Sequence, residues 1–126
     1  MKVLVVDDSY IIRKALQNFI TSSPSAQDLR IVGEAADGVA AMRLFEEKDP
    51  DLITMDITMP KMDGLTCIEK MMSLKPSARI IVISALNDKE TALQALTKGA
   101  LTFIPKPFSR ESFEKGLSKA LEGPDS

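Results

Sequence analysis

The sequence predicts an α/β protein with a doubly wound, five-stranded parallel sheet, and three observations carry that expectation. Short apolar runs rich in Val and Ile recur along the chain, the pattern of strands covered on both faces. Segments with apolar residues at helical spacing separate them in strict alternation. Finally, 126 residues accommodate five such strand–helix units, far short of the roughly eight units and about 250 residues of a closed βα barrel. Right-handed crossovers then favour an open sheet with five flanking helices on its two faces.

Each element follows from its residues. Lys2–Val6 (KVLVV) is the first strand, ended by Asp7-Asp8-Ser9. Ser9 or Asp8 caps a helix in which Ile12, Ala15, Leu16, Phe19 and Ile20 share one face. Thr21–Ala26 reads as a loop, Leu29–Ala35 as the second strand, and Asp37-Gly38 as the turn into a helix carrying Val39, Met42 and Phe45. Asp49-Pro50 closes that helix, because proline disfavours helical geometry in the residue before it. Asp51–Met55 is the third strand and ends at Asp56, followed by a proline- and glycine-marked loop from Thr58 to Gly64. The next helix places Leu65, Ile68, Met71 and Met72 on one face. Arg79–Ser84 is the fourth strand, Asp88–Lys98 a helix with Gly99 as its C-cap, and Leu101–Ile104 the fifth strand. Ser109–Leu121 is the last helix, with Phe113, Leu117 and Leu121 inward. One domain covers residues 1–122, and 123–126 form a fraying tail.

Composition narrows the function classes. Hydrophobic residues at 44% and charged residues at 27% suffice for a core without metal or disulfide staples. A net charge of −2 supplies no field to hold nucleic acid. Apolar runs such as Ile80–Ile83 are too short to cross a membrane, and Asp7 and Asp8 interrupt any export signal. The single cysteine, Cys67, excludes an internal disulfide and points to the cytoplasm, with the thiol packed and inert. Met42, Met71 and Met72 read as core filler, whereas Met59 and Met62 lie in a partly exposed loop. The absence of histidine removes the Ser-His-Asp and Cys-His triads and the common zinc sites.

In an open α/β sheet, ligands bind beyond the carboxyl ends of the strands. Those ends carry Asp7-Asp8, Asp56, Ser84-Ala85 and Lys106-Pro107, while strand two offers only the Asp37-Gly38 turn. Three carboxylates, a hydroxyl and an ammonium therefore converge. Crowded carboxylates take up protons unless a cation sits among them, and a hard divalent ion, Mg²⁺ or Mn²⁺, suits oxygen ligands. Such an ion recruits phosphate oxygens, so the constellation points to phosphoryl chemistry. Charge placement agrees: residues 1–64 hold 11 acidic and 7 basic side chains, residues 65–126 hold 7 and 9. A carboxylate can itself be the nucleophile, forming an aspartyl phosphate. Asp56 is the candidate, with Asp8 helping to hold the metal and Lys106 pairing with incoming charge. Taken singly, capping or a solvated turn would account for Asp7-Asp8, Asp56 or Ser84; all five residues together argue for a site.

Four motifs carry a resemblance: VLVVDDS at Val3–Ser9, TMDITMPKMDG at Thr54–Gly64, VISAL at Val82–Leu86 and FIPKPF at Phe103–Phe108. Over nearly its whole length the chain resembles a response-regulator receiver domain, most closely the stand-alone chemotaxis (CheY-like) type. The resemblance implies strand order 2-1-3-4-5 and phosphorylation of Asp56. It implies Mg²⁺, with Mn²⁺ as substitute, held by Asp8, Asp56 and the carbonyl of Thr58, with Asp7 acting through water. Lys106, joined to Pro107 by a cis bond, would contact the phosphoryl group. Ser84 would hydrogen-bond it, and Phe103 would rotate into the space that Ser84 vacates. Ala85 is small and leaves the site accessible.

There are departures. Ser84 stands where many relatives have Thr, and Phe103 where Tyr is frequent; Thr58 and Leu86 lack the amide and carboxylate that tune dephosphorylation, so phosphoryl lifetime should differ. The resemblance implies a signalling domain rather than a classical enzyme, catalysing its own phosphorylation and dephosphorylation. A partner histidine kinase supplies the phosphoryl group. The output face, built from the fourth helix, fifth strand and fifth helix, would use Lys89, Leu93, Leu96, Phe103, Arg110 and Lys119. The flagellar motor switch protein, or another output protein, is the expected partner, with no nucleic acid or membrane, and the chain is a monomer or a phosphorylation-dependent dimer. Three alternatives stand beside this. One is the receiver of a longer regulator with a DNA-binding or methylesterase domain, and another is a pseudo-receiver scaffold. The third, a haloacid-dehalogenase-like phosphatase, would need a second Asp where Thr58 stands.

Overall fold

Side chains alternate across each strand, and that period of two splits the core into halves on opposite faces of one sheet. The computed structural model describes residues 1–24, 28–58, 63–85 and 89–122. Strands β1 (Lys2–Val6), β2 (Arg30–Ala35), β3 (Leu52–Met55), β4 (Arg79–Ser84) and β5 (Thr102–Pro105) alternate with five helices. These are α1 (Tyr10–Ser22), α2 (Gly38–Lys48), α3 (Gly64–Leu74), α4 (Lys89–Thr97) and α5 (Arg110–Glu122). The sheet is parallel throughout, in the expected order β2-β1-β3-β4-β5, so strand order reverses between β1 and β3. Val3, Val5, Leu52, Ile81 and Ile83 face Leu16, Ile20, Phe113 and Leu117 of α1 and α5. Leu4, Val6, Ile53, Met55, Ile80 and Val82 face Phe45, Ile68, Met71 and Ala95 of α2, α3 and α4.

Caps end the helices much as expected. Ser9 caps α1 by accepting from Ile12 N, and Asp37 and Asp63 cap α2 and α3 in the same way. Asp49 closes α2 in the left-handed region, at φ 49°, and Gly99 at φ 122° follows α4 with its N–H on the Leu96 carbonyl.

Two expectations need correction. The helix α1 runs through Thr21 and Ser22, which were expected in a loop; their hydroxyls donate back to the Asn18 carbonyl at 3.2 and 2.7 Å, satisfying a late turn. Val39 does not face the core but is 54% exposed, because α2 buries Gly38, Ala41 and Phe45 and Val39 falls off that stripe. Expectations for Ser25, Ala26, Met59, Met62, Leu86, Asp88 and the tail 123–126 fall outside the described residues.

Cys67 is fully buried and burial pushes its thiol up to about 11, as an inert packed cysteine requires. No helix among the described residues is long and apolar enough to cross a membrane.

Candidate functional site

The register brings the carboxylates together. Val6 pairs with Met55, so the next residue on each strand, Asp7 and Asp56, stands at the strand-order reversal. Their backbones are pinned: Asp56 N donates to the Val6 carbonyl and Asp7 N to the Ala35 carbonyl, each at 3.0 Å. Both side chains are buried, while Asp8 is exposed. One carboxylate oxygen from each of the three lies within 4.8 Å of the others. Gly64, at the start of α3, backs onto this strand end: a Cβ there would meet the Asp56 carbonyl at 2.7 Å and collide with Ile57 Cα. Only glycine allows α3 to start this close.

Lys106 reaches the cluster because of a proline. Leu101 N donates to the Ile80 carbonyl, and Lys106 N to the Ser84 carbonyl at 2.9 Å. Pro105 pairs with Ser84 but has no N–H to offer it, so the Ser84 carbonyl takes the N–H of the next residue, Lys106. The Lys106–Pro107 bond is cis. The ammonium lies 2.8 Å from Asp7 Oδ2 and 3.4 Å from Asp56 Oδ2. Just beyond, Phe108 packs against Phe19 and Phe113, anchoring the segment to α1 and α5.

Electrostatics follow from burial. Removal from water raises the Asp7 carboxyl above its ordinary value, Lys106 and the Ser9 N–H pull it back, and the Asp56 charge pushes it up further. Burial likewise opposes charge on Lys106, but Asp7 and Asp56 outweigh it and the ammonium is held more firmly than usual. Among the described residues Lys106 alone pairs with these carboxylates, contacting Asp7 and Asp56 while Asp8 stands beside them, so three acidic groups share one ion-paired cation. All the donors are oxygens, a set that fits a hard divalent cation.

Thr58 contributes its N–H and hydroxyl, both donating to Asp56 Oδ1 at 3.0 and 2.9 Å. Ser84 ends β4, fully buried, and Phe103 is half-buried against the α2–α3–α4 half-core. Leu93 and Leu96 of α4 are exposed apolar residues. A shallow groove of about 240 Å³ beside β5 is lined by Phe103, Pro105, Ser112, Lys115 and Lys119. Arg110 does not share that face: its guanidinium stacks on Phe19 at 4.5 Å and donates to Ser22 Oγ, turning it toward α1.

Sequence patterning does not single out Arg13 and Glu34. Arg13 donates from Nε to Glu34 Oε1 and from Nη1 to the Asp7 carbonyl, both at 2.7 Å. Lys14 and Gln17 also donate to Glu34, and these contacts, Arg13 first, hold its carboxyl down to about 2. A lone glutamate inside the apolar strand run RIVGEA was the available signal.

The response regulator receiver domain model matches residues 3–118. The chain belongs to the response-regulator receiver family. This receiver domain is 38% identical over 122 residues to the chemotaxis protein CheY of Listeria monocytogenes, covering 97% of this chain and 99% of that one. It is 46% identical over 109 residues to a protein-glutamate methylesterase/protein-glutamine glutaminase of Shewanella oneidensis, covering 85% of this chain but 30% of the relative. Among solved structures it superposes on the Borrelia burgdorferi CheX–CheY–BeF3–Mg²⁺ complex with a TM-score of 0.87 and 38% identity, over 96% of this chain and 89% of that one. The receiver domain is accordingly a signalling module of two-component systems rather than a classical enzyme.

Proposed function

We propose that this receiver domain accepts a phosphoryl group on Asp56 from the phosphohistidine of a partner kinase, with Mg²⁺ at the acidic cluster. The observation that carries the reading is the cluster itself: three carboxylates within 4.8 Å, two of them buried, against a single lysine. Asp7 Oδ1 accepts from Ser9 N at 2.9 Å and Oδ2 faces Lys106, and Asp56 is engaged in the same way by Thr58 and Lys106, so the division of ligand roles rests on the family resemblance. Asp8 and Asp56, with the Thr58 carbonyl, would hold the ion and Asp7 would act through water. The ion offsets charge between the incoming phosphoryl oxygens and the carboxylates.

This chain's own residues do the rest. Asp56 supplies the nucleophilic oxygen, held in place by Thr58. Lys106 pairs with the transferred group, and Ser84 hydrogen-bonds it at the end of β4. Drawing Ser84 inward frees space for Phe103 and shifts a pre-existing equilibrium of the α4–β5–α5 face. Lys89, Leu93, Leu96, Phe103 and Lys119 are the contact residues there. The full-length match to CheY proteins supports a cytoplasmic chemotaxis role with the flagellar motor switch as partner. A second reading, the receiver of a longer regulator, is supported by methylesterase relatives of which this chain spans about a third.

The test is intact mass after treatment with acetyl phosphate and Mg²⁺. One added phosphoryl group is expected, absent in Asp56→Asn and with chelator present. No addition, where a control receiver reacts, would overturn the phosphorelay reading.

A further inference from the structure

Asp8 lies at the mouth of the cluster, exposed, and among the described residues its carboxylate makes no hydrogen bond or ion pair. Nothing on its side chain aims it; its position is set by the main chain, and first of all by the peptide joining Asp7 to Asp8. The carbonyl of that peptide accepts from Arg13 Nη1 at 2.7 Å. Arg13 is itself fixed: its side chain is 13% exposed, and Nε is tied to Glu34 Oε1 at 2.7 Å. Glu34 is braced in turn by Lys14 and Gln17. The next residue of β2, Ala35, accepts from Asp7 N, so β2 holds Asp7 through both of its flanking peptides. The second contact runs through a planar guanidinium, whose rigid fork suits two acceptors at a fixed spacing.

We propose that Arg13, braced by Glu34, is a positioning residue that sets the Asp7–Asp8 peptide and so aims Asp8 at the divalent cation. This rests on the reading of the acidic cluster as the Mg²⁺ site. It makes a prediction opposite in sign to simple electrostatics. Arg13 is a cation close to the cluster, so on charge alone its loss should tighten Mg²⁺ binding. As a positioning residue its loss weakens binding, by about tenfold, the lower end of what outer supports of metal ligands cost when removed.

The experiment is the Mg²⁺ dissociation constant of the full chain by titration calorimetry for the wild type, Arg13→Met, Arg13→Lys and Glu34→Gln. All three variants are expected to bind Mg²⁺ more weakly. Arg13→Lys keeps the charge and most of the packing but cannot reach both acceptors; it carries the test if Arg13→Met does not fold. Saturating Mg²⁺ should restore the rate of phosphoryl uptake from acetyl phosphate, because Asp56 and Lys106 are untouched. If the wild type binds Mg²⁺ and both Arg13 variants bind it equally or more tightly, the positioning role is overturned while the site reading stands. If the wild type binds no Mg²⁺, both fall together.

Discussion

Two lysines in this molecule each sit between two aspartates, at opposite ends of the same sheet, and they behave differently. At the carboxyl end, Lys106 faces Asp7 and Asp56, whose side chains are 1% and 2% exposed. At the amino end, Lys75 faces Asp49 and Asp51, which are 73% and 39% exposed. Lys75 also donates to the Asp49 and Pro50 carbonyls, and Asp51 Oδ2 accepts from Lys2 N at 2.8 Å. Water and backbone satisfy that second cluster, and the Asp51 carboxyl is drawn below its ordinary value, first by the Lys2 N–H. In the first cluster, burial strips water away, a third carboxylate adds charge, and Asp7 is pushed up. A lysine–aspartate group is a latch where its charges are satisfied and a site where buried charge is left over.

Removing each lysine breaks the comparison most severely. Lys106→Met leaves two buried carboxylates without their cation and should cost about 3 kcal/mol in chelator, partly recovered by Mg²⁺. Lys75→Met should cost about 0.5–1 kcal/mol and leave phosphoryl uptake intact. Urea unfolding of both variants reads the difference; equal losses would mean the two clusters are energetically alike.

A smaller pair of changes sharpens the point, because one substitution should act with opposite signs. Asp7→Asn should stabilise the metal-free protein by about 1 kcal/mol, since it removes buried charge and keeps an acceptor for Ser9 N. Asp51→Asn should destabilise it by about 1 kcal/mol, through a weaker acceptor for Lys2 N.

The smallest effect is in pH dependence, measured against each Asn variant in chelator. Asp51, depressed when folded, contributes stability present above its ordinary value of 3.8 and lost as pH falls below it. Asp7, raised when folded, binds its proton more tightly in the native state, so its contribution declines as pH climbs above 3.8. Slopes of the same sign would contradict the assignment.

The strands and the site were legible because they depend on local pattern and on one topological rule. Continuous runs such as LITM and RIIVIS mark buried strands, and parallel order sends Asp7, Asp56, Ser84 and Lys106 to one end. What escaped the sequence depends on the angle at which elements meet. Arg110 and Lys119 lie on one helix, yet only contacts with Phe19 and Ser22 show that Arg110 turns to α1. Val39 is apolar at helical spacing and still faces out. The Arg13–Glu34 pair requires α1 to lie over β2, a packing fact that no spacing encodes.

The division of the core by a sheet one layer thick has a consequence for how this sequence can change. Met71 and Phe113 are both fully buried, but they lie in half-cores with no member in common. Losses from truncating each should therefore add, to within about 0.5 kcal/mol, as for sites without shared partners. Phe103 and Ile104 are neighbours in β5 that pack into different halves. Substitutions can therefore accumulate under α4 without disturbing the packing that anchors Lys106 through Phe108, so one half of the core is free to diverge while the other keeps that lysine in place.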